Sequence, residues 1–297
     1  MRAGMELPSL GKGHRVHALL QARLRPEAVT ARAYAPHAHW VAEFFGLHQV
    51  GLYREASRVQ KWEILDRCGR ALLEEAYFIE KSGVGFAAEM VLLSESIEER
   101  MLYATFAADE ARHFDAIRPF LSGDLPQPKE NPFLALLADT IECGDRTALQ
   151  FIIQVVLEGW GLAHYRALRD ACTHPLLHDR LDAILHDEAA HHGSGRVLFA
   201  ESRVSTATAQ RIEASLAAML EMVRVGPVGV LGAIDATLGP LTRAQKLVAF
   251  EELAGRAHAQ ARLDHLRQLA TFDDVLTVVD RLDTRGLFQS MTPEDFL

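Results

Sequence analysis

Apolar residues recur at intervals of three and four through most of the chain, and apolar–polar alternation bounded by hairpin turns is absent. That spacing lines apolar side chains along one face of a helix and does not suit half-buried strands. The fold class expected is all-α. A first helix is predicted over about 38–50. A long helix follows from about Arg58 to Leu93, and its mate runs from Ile97 to about Leu121. Ser122–Pro132 carries three prolines and reads as a loop. Asn131-Pro132 opens a short helix that ends near Gly144, and Asp145 stands where it can cap the next one. Another long helix is expected over about Pro175 to Arg203. Three or four more complete the chain, broken near Gly226-Pro227 and Gly239-Pro240. Residues 1 to about 25 read as a basic, irregular arm.

Within this helical pattern a motif occurs twice. Glu110-Ala-Arg-His113 and Glu188-Ala-Ala-His191 are both Glu-x-x-His, each is preceded by an Asp (Asp109, Asp187), and each has a lone Glu (Glu80, Glu158) 30 residues upstream. Residues three apart share a helix face, so each motif can aim one carboxylate oxygen and one imidazole nitrogen at the same point. Such a donor set suits iron, manganese or zinc. Four carboxylates and two histidines converging inside a helical bundle make a two-metal site.

The spacing also demands turns. If Glu80 faces Glu110 across a helical hairpin, the turn lies near residue 95, where Ser96 and Glu99 form a capping box. For Glu158 and Glu188 it lies near residue 173, where Thr173 and Pro175 can start a helix. Glu74 and Glu75 are rival partners for Glu110, but their turn would fall in or beside Met90–Leu93, which has no helix breaker.

The duplicated motif resembles that of the ferritin-like di-iron carboxylate superfamily, over about residues 60–203. The resemblance implies a four-helix bundle with additional N- and C-terminal helices, in one helical domain over 1–297. Its core would span about 58–203 and its C-terminal extension about 204–297. It implies two iron ions, with manganese or a mixed Mn/Fe pair as alternatives, and dioxygen as co-substrate. Glu80 and His113 would bind one metal, Glu158 and His191 the other, and Glu110 and Glu188 would bridge. Asp109 and Asp187 match the position of an Asp that hydrogen-bonds a ligand His, and a ligating His normally hands its other N–H to such an acceptor.

The expected activity is O2-dependent oxidation of a small organic substrate by hydroxylation, desaturation, N-oxygenation or C–C cleavage. A ferredoxin or flavin reductase would donate electrons, and the protein would be a homodimer. The alternative is an iron-handling or peroxide-scavenging relative, of ferroxidase or manganese-catalase type. Ribonucleotide reductase small subunits carry a radical Tyr four residues after the first ligand His; Ile117 stands there, and the tail Met291–Leu297 has no tyrosine.

Glycines crowd both lone glutamates: Gly83 and Gly85 after Glu80, Gly159 and Gly161 around Glu158. Glycine inside a helix costs about 0.5–1 kcal/mol relative to alanine, so a reason is needed. It is either space, as a pocket or a local π-bulge that re-aims the Glu, or close helix packing. Tyr77, Tyr103 and Tyr165 lie near the ligand faces as pocket or core residues. His192, four after Glu188, is a further candidate for the pocket wall, and Arg112 is expected to point away from the metal face into an ion pair. The pairs His14/His17 and His37/His39 have no carboxylates at helical spacing and read as surface residues.

A net charge of −9 argues against nucleic acid or an anionic membrane as partner. The three cysteines, Cys68, Cys143 and Cys172, are far apart, which gives neither a disulfide framework nor an iron–sulfur site and suits a reducing cytoplasm. Met1–Val16 has no apolar core of a signal peptide, and no run of about 18 uncharged apolar residues suggests a membrane span.

Overall fold

The structure, a computed structural model, describes residues 2–11, 13–24, 39–121, 125 and 127–297. Among the described residues there is no strand, only an isolated antiparallel bridge between Trp40 and Cys172. The fold is all-α. The helices are α1 (Arg15–Leu24), α2 (Gly51–Glu55), α3 (Arg58–Leu93), α4 (Ile97–Ile117), α5 (Pro132–Cys143) and α6 (Arg146–Leu149). A π-helix, Gln150–Glu158, continues α6 and passes into α7 (Gly159–Ala171). Then come α8 (Pro175–Ala200), α9 (Thr206–Val223), α10 (Val228–Leu238), α11 (Arg243–Glu252), α12 (Gly255–Ala270) and α13 (Leu276–Thr284).

Local chemistry sets the helix starts. Ser57 and Gln60 satisfy each other's backbone N–H groups at the head of α3. Ser96 accepts from Glu99 N at the head of α4, while the Glu99 carboxylate reaches past the cap to Glu95 N. Asn131 accepts from Phe133 N and Leu134 N to open α5. α8 departs from expectation. Its cap is His174, whose Nδ1 accepts from Leu177 N, while Thr173 N donates to His39 O at 2.8 Å.

Four other differences have physical causes. Residues 39–50 do not form the expected α-helix: the backbone around His39 and Trp40 is held extended against Cys172 and Thr173, and Gly46 has φ of 70°. α4 ends at Ile117 because Pro119 has no N–H to continue the ladder. The C-terminal part has five α-helices rather than three or four. Gly226 and Gly239 break it with positive φ, and an unexpected break comes at Ala254, a non-glycine at φ 51°. The N-terminal arm is less irregular than expected: α1 covers Arg15–Leu24, and Ala3 and Met5 are buried. Ala3 N donates to Glu142 Oε1, Lys81 Nζ donates to Leu7 O, and Gly85 leaves room for the backbone of Arg2 and Ala3. His37, Ser122–Asp124 and Pro126 lie outside the described residues.

The chain divides into two compact units, residues 1–37 with 73–146, and 38–72 with 147–297. In the first unit, the buried Tyr103 lies edge-on to Phe86 and Phe106. In the second, one cluster gathers Leu47, Val50, Ile64, Leu231, Ile234 and Ala249. Another packs Phe151 against Phe199 and Phe272. No single described helix is long and apolar enough to cross a membrane; only α9 and α10 together, across a 44° bend, reach that length and apolarity.

Candidate metal centre

The first unit brings three of the expected ligands together. α3 and α4 form a hairpin about the short turn before Ser96, which returns α4 past Glu80. Glu110 and His113 stand one turn apart on α4, and His113 Nδ1 lies 3.3 Å from Glu80 Oε2. One ligand atom from each of Glu80, Glu110 and His113 falls within 4.8 Å of the others. All three side chains are buried, at 1%, 6% and 3% exposure. Gly83, one turn beyond Glu80, leaves the space that the Glu110 carboxylate fills; a Cβ there would collide with Glu110 Oε2. Among the two rivals, Glu75 accepts from Asn131 Nδ2 at the head of α5 instead.

The second unit repeats the arrangement on different backbone. Glu188 and His191 stand one turn apart on α8, with His191 Nδ1 3.7 Å from Glu188 Oε2. Ligand atoms of Glu158, Glu188 and His191 lie within 4.8 Å of one another. Glu188 and His191 are buried, whereas Glu158 is partly exposed. Glu158 is the last residue of the π-helix, so the π-helical distortion considered for its glycines exists and ends at Glu158 itself. Gly159 packs against the His192 ring and Leu269; nothing lies within 4 Å of where a Cβ on Gly161 would stand. One lone Glu thus has glycines used for packing on α3, while the other has a packed glycine followed by an open one.

The remaining candidates have definite places. Tyr77 packs on Phe78 and Phe114, one residue past His113, and burial pushes its phenol pKa up against the lowering effect of Arg118. Tyr103 is fully buried in the first unit's core, and Tyr165 is buried beside His164. Asp109 pairs with the exposed Arg112, so that Arg does point into an ion pair. Asp187 is partly buried on α8. His192 Nδ1 lies 2.8 Å from Gln154 O, which turns that ring toward the π-helix backbone. His39 is partly buried against Trp40 and His174, not on the surface, and burial lowers its pKa, with His174 acting in the same sense.

Gln150 and Gln154 were not singled out from the sequence, yet both are fully buried in the π-helix. Two glutamines inside the run Leu149–Leu157 carried a usable signal, because a buried amide is costly unless hydrogen-bonded. Gln150 Oε1 accepts from Ser202 Oγ, and Gln154 Nε2 donates to His191 O.

The donor sets fit a metal ion. Two carboxylates and an imidazole, all buried at the first station and buried except for Glu158 at the second, are expensive to desolvate unless something balances their charge, and buried charges are paired or coordinate metals. A divalent cation answers that need in each station, and carboxylate oxygen with imidazole nitrogen suits iron, manganese or zinc. The structure is therefore all-helical with buried Glu/His clusters able to hold a metal ion. No protein-family model, no curated protein and no solved structure matches the chain.

Proposed function

We propose that the chain is a ferritin-like di-iron carboxylate protein of oxygenase type, which uses O2 to oxidise a small organic molecule. The observation that carries this reading is the duplication in three dimensions. Each Glu…Glu-x-x-His set, recognised only by spacing in the sequence, closes into a compact carboxylate–imidazole station within its own unit. A chance repeat has no reason to fold into a buried donor cluster both times.

In this reading Glu80, Glu110 and His113 would hold one metal, and Glu158, Glu188 and His191 would hold the other. The bound pair would supply redox chemistry with dioxygen, with electrons from a ferredoxin or flavin reductase. The protein's own part is to fix the donors and limit water. Glu80, Glu110 and His113 are buried on α3 and α4. Glu158 is the more exposed and stands where π-helix gives way to α-helix, so it is the carboxylate best placed to move. The open position at Gly161, one turn further on the same face, marks the side from which a small substrate would approach.

The decisive experiment is anaerobic loading with iron, elemental analysis, and exposure to oxygen with and without candidate organic substrates. Two irons per chain with substrate-dependent oxygen consumption is the expected result. One metal per chain would remove the two-metal reading. Oxygen or peroxide turnover indifferent to any organic substrate would replace the oxygenase assignment with an iron-handling one.

A further inference from the structure

The segment that delivers Glu158 is held in an uncommon backbone form, and the residues that hold it are visible. π-helices are rare because each residue adds less favourable hydrogen bonding than in an α-helix, and they persist where neighbours compensate. When the ladder tightens again at the end of a π-helix, a backbone carbonyl is passed over and needs a donor from elsewhere. Here Gly159 N donates to Val156 O, three residues back, so the ladder tightens beside Glu158. Four residues before Glu158, the Gln154 carbonyl lies 2.8 Å from His192 Nδ1. A carbonyl only accepts, so His192 Nδ1 carries the proton and donates.

Three further features lock this contact. The Gln154 side chain returns a bond to α8, from Nε2 to His191 O at 3.3 Å. Gly159 has no Cβ; one there would lie 2.7 Å from His192 Cε1 and 2.8 Å from Leu269 Cδ2. Gly195 likewise leaves room for the Gln154 side chain, with which a Cβ would collide. At its other end the π-helix is tied to the turn after α8, where Ser202 Oγ donates to Gln150 Oε1 at 3.0 Å. The two glycines, two glutamines and one histidine make a consistent set, and His192 is the member whose hydrogen bond reaches the π-helix backbone.

From this geometry we infer that His192 is a positioning residue for Glu158. Its Nδ1–H holds the Gln154 carbonyl, fixes the π-helical register of Gln150–Glu158, and so aims the Glu158 carboxylate at the point it shares with Glu188 and His191. The inference rests on the proposal that Glu158 is a metal ligand, but it also predicts a property of the metal-free protein. The same contact accounts for His192 without making it a ligand.

The test uses His192→Leu, which removes the donor, and His192→Asn, whose amide nitrogen can occupy the place of Nδ1. Cobalt(II) is titrated into the full-length metal-free proteins and followed by its visible absorption, and backbone hydrogen exchange over residues 150–159 is measured without metal. In the native protein two equivalents bind. In His192→Leu one binds as before, at the Glu80–Glu110–His113 station, and the other weakens by about 10–100-fold, as for a lost supporting bond to a ligand. Its visible spectrum changes, and amides 150–159 exchange faster. His192→Asn restores both. Gly159→Ala, which pushes the ring off Gln154, reproduces the selective loss and serves if His192→Leu does not fold. Two equivalents bound at native strength in His192→Leu, or unchanged exchange over 150–159, would overturn the positioning role. Fewer than two equivalents in the native protein would instead remove the two-metal reading, and the exchange data alone would then decide whether His192 holds the π-helix.

Discussion

The carboxylate of Glu110 occupies the space where a side chain on Gly83 would stand. Three residues separate Glu80 from Gly83, as three separate Glu158 from Gly161, yet a Cβ on Gly161 would meet nothing within 4 Å. The duplicated positions therefore make opposite predictions. Gly83→Ala forces the Glu110 carboxylate off its place and should cost about 1–3 kcal/mol of stability through overpacking, while weakening metal at the first station. Gly161→Ala should be neutral or stabilising by up to about 1 kcal/mol, the ordinary helix gain over glycine. Urea unfolding and metal titration of both variants measure this; equal effects in the two would show that neither glycine serves the site. Gly161→Leu should keep both metals and raise KM or block substrate, whereas unchanged turnover would place the pocket elsewhere.

Glu158→Ala separates the two stations. Glu80, Glu110 and His113 cluster within the first unit without help from α7, so one metal should stay bound after Glu158 is lost. Tight binding should fall from two equivalents to one, and oxygen-dependent substrate turnover should vanish. Elemental analysis after gel filtration gives the count. Loss of both metals would mean that the stations depend on each other for binding.

Asp109 is expected to orient a ligand histidine, and it also pairs with Arg112. The two roles separate by mutation. An exposed ion pair is worth about 0–1 kcal/mol, so Arg112→Ala should barely change stability or metal affinity. Asp109→Ala and Asp187→Ala should each weaken metal binding or activity by roughly 10–100-fold with the fold intact. If Arg112→Ala matched Asp109→Ala in its loss of metal, the ion pair itself would be the functional contact.

The long helices were legible because their punctuation is local. Arg58–Leu93 has the bounds read from the sequence, and Ser96 caps α4 as its spacing from Glu99 predicts. Glu80 was preferred over Glu74 and Glu75 by turn position alone, and it is Glu80 that meets His113. What escaped the sequence depends on distant partners. The extended stretch at His39 and Trp40 exists because Cys172 and Thr173, more than a hundred residues on, supply its backbone bonds, and Trp40 Nε1 adds one to Leu168 O. The His174 cap wins over Thr173 for the same reason, since the Thr173 hydroxyl, like its N–H, donates to His39 O. At the next break Gly255 is visible in the sequence, but the left-handed turn falls on Ala254 before it. A π-helix could be suggested from the glycines near Glu158, but its nine-residue extent needs α8 to hold it.

The last prediction concerns pH. His164 on α7 has its pKa pushed down to about 4, chiefly by burial and further by the Arg262 guanidinium, which also stacks on Trp160. In the unfolded chain a histidine takes up a proton near pH 6.5. The folded protein resists that proton until about pH 4, so between these values the unfolded state binds more protons and acid favours unfolding. The contribution is fully present above about pH 6.5, falls as pH drops through that window, and levels off below the folded pKa. A shift of this size corresponds to about 3 kcal/mol. His39 and His258, also lowered mainly by burial, act in the same direction. His164→Gln removes one titrating group while leaving the carboxylate stations unchanged, so the difference between variant and native protein isolates it. Urea unfolding of the metal-free proteins at pH 7, 5.5 and 4.5 should show the native protein losing more stability than His164→Gln across that range. Parallel losses in the two proteins would mean that His164 accepts its proton in the folded state as readily as in the unfolded chain.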